Sequence, residues 1–321
     1  MHALIPLLVT ISLPSVLSLS LYVDTSCSSK KGWSDYYSET QNFAKRASVR
    51  MSSSSDTDFK NVFKRIFKVE PGSSEAFNNV VGILKAVADL TATSDLKNSD
   101  IRLFCDNDKR WTQIQGGYHD PTTEMVERDT PSCQRQPSAL GRTYSRKSKP
   151  PQNPNDPRAG HNPNRISVSI CDLTFARPSK DGEPAWLKDD LVKPDLQNTF
   201  LDTFDDMISV TILHELVHAV SYSPAESKVI ILDVPTKESA YGWENVFAKS
   251  AEDSLKNAEN YMYTGLWAVL ADMGYTLPRI KESDDQIVKN ALEERAKEGW
   301  LYHYADGTKR ALEVVARRFI S

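Results

Sequence analysis

Two histidines with a glutamate between them are the residues of this chain whose types and spacing could do chemistry. They are His214, Glu215 and His218, in a stretch that reads Thr-Ile-Leu-His-Glu-Leu-Val-His-Ala from Thr211. A helix places residues four apart on one face, so the two imidazoles could hold one divalent ion while the carboxylate leans toward the same opening. A metal ion beside a carboxylate base is an arrangement that activates water.

The surrounding stretch must form a buried helix if it is to position these groups. From Thr203 to Tyr222, apolar residues cover most of a helical circumference, which predicts a helix inside the core. In that setting the spacing matches the H-E-x-x-H signature of zinc peptidases. The alternative is two core histidines bonded to backbone carbonyls, with Glu215 paired to a nearby base. Such groups are costly on a buried helix without a metal or partner, so zinc binding is predicted.

A catalytic zinc ion needs a third protein ligand and keeps one position open. No histidine occurs between His218 and His303, which argues against the pattern with a third histidine shortly after the motif. An acidic third ligand is therefore expected. The downstream candidates are Glu226, Asp233, Glu238 and Glu244.

Two segments downstream of the motif resemble a known family. Thr236-Lys-Glu-Ser-Ala-Tyr-Gly and Asn257-Ala-Glu-Asn-Tyr-Met-Tyr resemble the Gly-Thr-x-Asp-x-x-Tyr-Gly and Asn-Ala-Asp-Ser-Tyr segments of the aspzincins, the group of deuterolysin and peptidyl-Lys metalloendopeptidase. Together with the order of cysteines and helices, the resemblance covers about Tyr22 to Tyr275. It implies a zincin-like metallopeptidase core with a small sheet and one zinc ion.

The resemblance also implies roles for two residues. The family's aspartate ligand falls on Glu238, and its tyrosine falls on Tyr241. The chain departs from the pattern at Pro235, where the family has glycine, and at Glu238, whose carboxylate is one methylene longer but is a group that zinc accepts. Asp233 is the fallback ligand. Glu238 could instead be a surface carboxylate, and Tyr241 a core aromatic.

The residues predict a secreted endopeptidase that hydrolyses peptide bonds in a protein or peptide substrate. Glu215 would take a proton from a metal-activated water and pass it to the leaving amine, and Tyr241 would donate a hydrogen bond to the oxyanion. The alternative is a non-catalytic secreted antigen or binding protein that keeps the fold and a zinc ion, which the departures at Pro235 and Glu238 favour. One branch of the family prefers lysine, but the sequence does not locate the acidic pocket that this preference needs.

The elements predicted around the motif define an α+β fold, predominantly helical. One strand is expected over the apolar run Ile101-Arg-Leu-Phe, which ends at Cys105, and another over Arg165–Cys171. A helix over Asn257–Met273 should end at Gly274, and Ser73 or Ser74 should cap the third of three earlier helices. Those three are expected over about Ser38–Met51, Asp56–Val69 and Ser74–Ala92.

Three further segments are predicted from composition. Asp106–Trp111 has the chemistry of a surface turn and lacks the glycine and distal glutamate of a calcium loop. Pro131–Arg165 is rich in proline and polar residues, which predicts a long exposed loop. A tail over 278–321 should hold a capping box at Ser283 and Gln286, a helix through Lys297 and another over Ala311–Phe319. It could pack on the fold, be removed, or bind a partner.

The N-terminal segment and the cysteines indicate export. Met1–Ser20 reads as a cleaved signal peptide with a mature start near Leu21, the alternative being a buried helix, and the peptidase domain follows over 21–277. The four cysteines then predict two disulfides. Three pairings are possible, and the pairing of Cys105 with Cys171, each at the end of a predicted strand, is preferred.

The composition of the chain is that of a folded protein with no preference for polyanions. Its 321 residues are 40% hydrophobic and 26% charged, with a net charge of -4 and a pI near 5.9. Neither nucleic acid nor a membrane surface is therefore expected as a partner. No segment beyond the N-terminal one is long and apolar enough to span a bilayer. We expect a monomer.

Overall fold

The computed structural model describes residues 18–53, 55–145, 166–176, 196, 199–205, 207–223, 229–234, 240–278 and 285–303. These residues form a mixed fold in which a small sheet lies against a group of helices. At that level the predicted combination of helices and strands is confirmed. Among the described helices, none has both the length and the apolar character needed to cross a bilayer.

The described helices are α1 (Thr25–Ser28), α2 (Trp33–Ser52), α3 (Thr57–Phe67), α4 (Glu75–Ala88), α5 (Ser132–Arg135), α6 (Asp172–Ala176), α7 (Ile208–Ser221), α8 (Trp243–Ala248), α9 (Ala251–Ser254), α10 (Ala258–Asp272) and α11 (Gln286–Lys297). The described strands are β1 (Ser20–Val23), β2 (Thr91–Thr93), β3 (Ile101–Phe104), β4 (Thr112–Ile114), β5 (Gly117–Asp120), β6 (Met125–Glu127), β7 (Gly141–Ser145), β8 (Ile166–Ile170), β9 (Tyr275–Thr276) and β10 (Tyr302–His303). A 3-10 turn, Leu201–Phe204, precedes α7.

The main sheet has the strand order β2-β1-β3-β8-β7. Strands β2, β1, β3 and β8 run parallel to one another, whereas β7 runs antiparallel to β8 at one edge. Every residue of β3 and β8 is buried, as expected for parallel strands in the interior of a covered sheet. The two strands predicted from sequence are therefore the centre of the sheet. Strands β4, β5 and β6 form a separate antiparallel sheet, and β9 pairs with β10.

The helix that carries the histidines lies at the centre of the helical layer. All residues of α7 are buried, and α7 packs against α2, α4, α10 and the strands β7 and β8. A glycine allows one of these contacts to be close: a Cβ at Gly265 of α10 would lie 2.5 Å from Cδ2 of Leu213 and 3.5 Å from Cβ of Phe43. The absence of a side chain there lets α10 approach both α7 and α2.

The predicted helices occur, with shifted ends. Ser74 caps α4 by accepting a hydrogen bond from the backbone N–H of Phe77, and Gly274 follows α10 with a φ of 87°. The histidine helix was predicted to begin at Thr203, but α7 begins at Ile208. The residues before Ile208 form a separate 3-10 turn instead of continuing the helix. In that turn the carboxylate of Asp202 accepts hydrogen bonds from the backbone N–H of Trp243 and the hydroxyl of Tyr263.

The prediction of an unbroken loop over Pro131–Arg165 is wrong in its first part. It contains α5 and β7, and β7 pairs with all five residues of β8. The sequence Gly-Arg-Thr-Tyr-Ser of β7 contains no proline, so its N–H groups are available to the sheet. The proline-rich remainder, 146–165, lies outside the described residues.

The preferred pairing of Cys105 with Cys171 is also wrong. The disulfides join Cys27 to Cys105 and Cys133 to Cys171. Although β3 and β8 are neighbours, each cysteine at a strand end meets a cysteine from a short helix, Cys27 in α1 and Cys133 in α5. These one-turn helices give little signal in the sequence.

The segment Asp106–Trp111 is not an ordinary surface turn, because Asp108 is fully buried. The carboxylate of Asp108 accepts hydrogen bonds from the hydroxyls of Tyr144 and Ser169 and from the backbone N–H of Cys133. Protein donors therefore contact both oxygens of the Asp108 carboxylate.

The two ends of the chain are described in part. Asp285, rather than Ser283 of the predicted capping box, caps α11 by accepting from the N–H of Ile287, and 281–284 lie outside the described residues. The predicted helix over Ala311–Phe319 and residues 1–17 of the predicted signal also lie outside them. The predicted mature start, Leu21, lies within β1.

Candidate metal centre

Helix α7 brings the two histidines together. Their Nε2 atoms lie 3.1 Å apart, and the rings meet nearly edge to face with an interplanar angle of 79°. Both side chains are buried, with exposed fractions of 8% for His214 and 6% for His218. The expected helical spacing therefore does place the two imidazoles on one face, pointing at a common position.

A third potential ligand, Asp233, reaches the same position from the chain beyond α7. Its Oδ1 atom lies 3.1 Å from Nε2 of His214 and 3.2 Å from Nε2 of His218. These three residues form a group that could hold a metal ion. The Oδ1 atom is buried and has no hydrogen-bond partner among the described residues, which leaves it available as a ligand.

The backbone of the segment that carries Asp233 forms hydrogen bonds with the end of α7 and with the start of α10. Ile231 donates its N–H to the hydroxyl of Ser221 at the end of α7. Leu232 donates its N–H to the carbonyl of Lys256 and accepts from the N–H of Ala258 at the start of α10. The position of Asp233 therefore depends on contacts with two helices that are distant in sequence.

The Nδ1 atoms define the tautomers of both rings. Nδ1 of His214 lies 2.9 Å from a carboxylate oxygen of Glu259, and Nδ1 of His218 lies 2.9 Å from the carbonyl oxygen of Ile231. Both partners are acceptors, so each Nδ1 carries a hydrogen, and a ring in its neutral form presents a lone pair at Nε2. With both rings neutral, three acceptor atoms converge, and either a metal ion or a proton on His214 would remove the repulsion between them.

The spacing of the three acceptors also fits a small ion. Ligands about 2.0–2.1 Å from a tetrahedral zinc ion lie about 3.3 Å from one another. The three observed distances, 3.1, 3.1 and 3.2 Å, are close to that value. The residues present are therefore suited to a tetrahedral ion with one further position.

The pKa values of His214 and Asp233 are both shifted by their close neighbours. Burial alone would lower the pKa of His214, but the adjacent carboxylates of Asp233 and Glu259 raise this pKa well above its usual value. Burial alone would raise the pKa of Asp233, yet the adjacent imidazoles of His214 and His218 bring it far below its usual range.

Glu259 is a residue of this site that the sequence analysis did not single out. It is 5% exposed, and besides its contact with His214 it accepts a hydrogen bond from the backbone N–H of Gly242. A carboxylate on a metal-binding histidine fixes the ring orientation and raises its basicity. The available signal was an acid within the apolar helix α10, a position where an unpaired carboxylate would be costly.

Glu215 projects from α7 toward the edge strand β7. Its Oε2 atom accepts a hydrogen bond from the hydroxyl of Thr143 at 2.7 Å, and the same hydroxyl lies 2.9 Å from the backbone carbonyl oxygen of Glu215. A Cβ at Gly141 would lie 2.7 Å from Cγ of Glu215. Strand β7 therefore contacts the carboxylate through two alternate residues on one face.

The remaining predicted site residues differ in their placement. Tyr241 lies at the site: its hydroxyl donates to Oδ2 of Asp233 at 3.0 Å and its ring centroid is 5.9 Å from that of His214. Burial, followed by the charge of Asp233, raises the pKa of Tyr241, so the phenol stays protonated. Glu238 and Pro235 lie outside the described residues, and the prediction that Glu238 is the third ligand stays a prediction.

Comparison with known proteins adds no assignment. A scan against protein-family models found no family that matches the chain, and a search of curated proteins found no match.

Proposed function

We propose that this protein is a secreted, zinc-dependent endopeptidase. The observation that carries the proposal is the convergence of two imidazole Nε2 atoms and Oδ1 of Asp233 on one point, with both imidazoles on the helix that also carries Glu215. Two imidazoles and one carboxylate are a ligand set of catalytic zinc sites, in which the fourth position stays open. The two disulfides are typical of proteins in an oxidising compartment, which supports export.

The proposed ligands are His214, His218 and Asp233, with Glu238 as the alternative acid. A zinc ion held by them would lower the pKa of a water molecule and polarise a peptide carbonyl. Glu259 holds the ring of His214 through Nδ1, and the carbonyl of Ile231 holds the ring of His218. These outer contacts keep both Nε2 atoms directed at the ion.

The proton transfers of hydrolysis are assigned to Glu215. As a carboxylate beside the open position it accepts a proton from the attacking water and later gives it to the leaving amine. Tyr241 supplies a neutral hydroxyl: almost half of its side chain is exposed (47%), so the phenol can leave Asp233 and donate to the oxyanion that forms on the substrate.

The proposed class is an aspzincin-like peptidase with a zincin-like core. Its support is the Tyr241-Gly242 pair beside the ligands and the segment Asn257-Ala-Glu, whose glutamate contacts His214. The geometry of the acid differs from the aspzincin pattern, because the carboxylate that reaches the histidines is Asp233, eight residues before Tyr241. We propose a monomer that acts on protein or peptide substrates.

The test combines metal analysis with cleavage of casein. We expect about one zinc ion per chain and cleavage that a chelator abolishes and added zinc restores. Glu215→Gln should keep the zinc but lower kcat by about 100- to 10,000-fold, because it removes the general base. The matched control is Glu244→Gln, an exposed acid of α8, which should cleave at the wild-type rate.

Two results would count against this function. Zinc bound without any cleavage would favour the non-catalytic secreted binding protein instead. Cleavage by Glu215→Gln at the wild-type rate would remove Glu215 from the mechanism.

A further inference from the structure

The hydroxyl of Thr143 has two acceptors on the same residue, Glu215. Its Oγ1 atom is 2.7 Å from Oε2 of the carboxylate and 2.9 Å from the backbone carbonyl oxygen. The side chain is buried, with 8% exposure. A hydroxyl has one hydrogen to donate and lone pairs to accept with, so it can donate to only one of these oxygens at a time.

We propose that Thr143 is a positioning residue that holds the side chain of Glu215 through a hydrogen bond to its carboxylate. The proposal rests on the proposed function, in which Glu215 is the general base. The hydrogen bonds of the Thr143 side chain within the described residues go to Glu215, so Thr143 acts through that residue.

Both contacts of the Thr143 hydroxyl are within hydrogen-bond range. The hydroxyl therefore links the carboxylate of Glu215 to the edge strand β7. Without it, a buried carboxylate oxygen would lose a donor, which is costly.

Gly141 leaves the space that the carboxyl group occupies. A Cβ at Gly141 would lie 2.9 Å from Oε1 and 3.0 Å from Cδ of Glu215. The absence of a side chain there lets β7 lie close enough for Thr143 to reach the carboxylate. Because Gly141 and Thr143 are alternate residues of one strand, β7 is the element that holds the base in place.

The first experiment compares Thr143→Val, which keeps the branched shape, with Thr143→Ser, which keeps the hydroxyl. We expect Thr143→Val to lower kcat for casein peptides about tenfold or more, with KM and zinc content within about twofold of wild type, because a hydrogen bond to a charged group is lost. Thr143→Ser should recover most of the rate. Thr112→Val, on the exposed strand β4, is the control and should behave as wild type.

The second experiment needs no catalysis. In the metal-free protein, the urea midpoints of Thr143→Val, Glu215→Ala and the double variant should be non-additive, since both single changes remove one shared contact. A chelator-sensitive wild type whose Thr143→Val variant keeps the wild-type kcat would overturn the proposal and leave the function standing. A wild type that does not cleave casein would overturn the function, and additive midpoints would then show that Thr143 does not act through Glu215.

Discussion

Asp233 makes two different contacts with its two oxygens. Oδ1 faces the imidazoles of His214 and His218, and Oδ2 accepts the hydroxyl of Tyr241. A carboxylate that binds through one oxygen while the other is held by a donor resembles the ligands of metal sites with an outer shell of hydrogen bonds. The placement of Tyr241 is thereby linked to that of the acid.

This arrangement predicts which acid binds the metal. Asp233→Asn should weaken zinc binding by more than the 10- to 100-fold that loss of an outer-shell partner typically costs, because it removes the negative charge beside both Nε2 atoms. Glu238→Gln, which makes the same chemical change five residues later, is the control and should bind zinc within about twofold of wild type. Competition with a chelator measures both affinities, and the reverse result would assign the ligand to Glu238.

The sequence predicts only those parts of the site that depend on local geometry. His214 and His218 are four apart on a helix, so helical periodicity alone brings them together. Asp233 and Glu259 reach them only because the chain returns between α7 and α10. The assignment of Glu238 followed a motif, and because that residue lies outside the described part of the chain, it stays a prediction. Thr143 belonged to a segment predicted to be a loop, so its contact with Glu215 had no signal.

At the scale of elements, Trp243 at the start of α8 connects the site to the C-terminal part of the fold. Its indole N–H donates to the carbonyl of Ala296 in α11, and its backbone N–H donates to Asp202. The preceding residue, Gly242, donates to Glu259. Helix α11 therefore packs on the fold through the same turn that carries Tyr241.

Gly299 allows the chain after α11 to pack closely against Trp243, and a substitution there tests how much this packing stabilises the fold. It has a φ of 81°, and a Cβ there would lie 2.7 Å from Cδ1 of Trp243. Gly299→Ala should lower the free energy of unfolding by about 1–3 kcal/mol, through backbone strain and steric overlap, as measured by urea denaturation. Gly82→Ala, in α4 with open space around its Cβ, should be neutral or stabilising by up to about 1 kcal/mol. Equal effects of the two substitutions would show that α11 does not pack on Trp243.

The elements were predictable where their pattern is continuous. Strands β3 and β8 are apolar throughout, and α4 has both a cap and an apolar face, so each was expected near its observed position. Strand β7 was missed because its residues, Gly-Arg-Thr-Tyr-Ser, lack an apolar run and stand beside a proline-rich stretch. Its pairing with β8 comes from the tertiary fold, which composition does not reveal.

At the scale of the whole molecule, a buried ionic network joins the two larger sheets. The guanidinium of Arg110 donates to Asp120 of β5, to Asp106 and to the hydroxyls of Ser167 and Ser169 in β8. Asp108 completes it through Ser169. A charged group buried with several partners is strongly coupled to the fold around it, so the small sheet is held against the main sheet near the edge that carries β7.

The Cys133–Cys171 disulfide supports the same edge and gives the last prediction. It joins α5, just before β7, to the residue after β8, across a separation of 38 residues. Closing a loop of this length lowers the entropy of the unfolded chain and so stabilises the fold by about 4 kcal/mol. The double variant Cys133→Ser/Cys171→Ser should therefore lose roughly that much free energy of unfolding, as measured by urea denaturation. The proposed peptidase activity should also be lost before global unfolding, because Gly141 and Thr143 lie between the two cysteines in sequence. Peptide mapping of the unreduced protein should find the pairs Cys27–Cys105 and Cys133–Cys171. A Cys105–Cys171 peptide would contradict both the pairing and this account of how β7 is held beside Glu215.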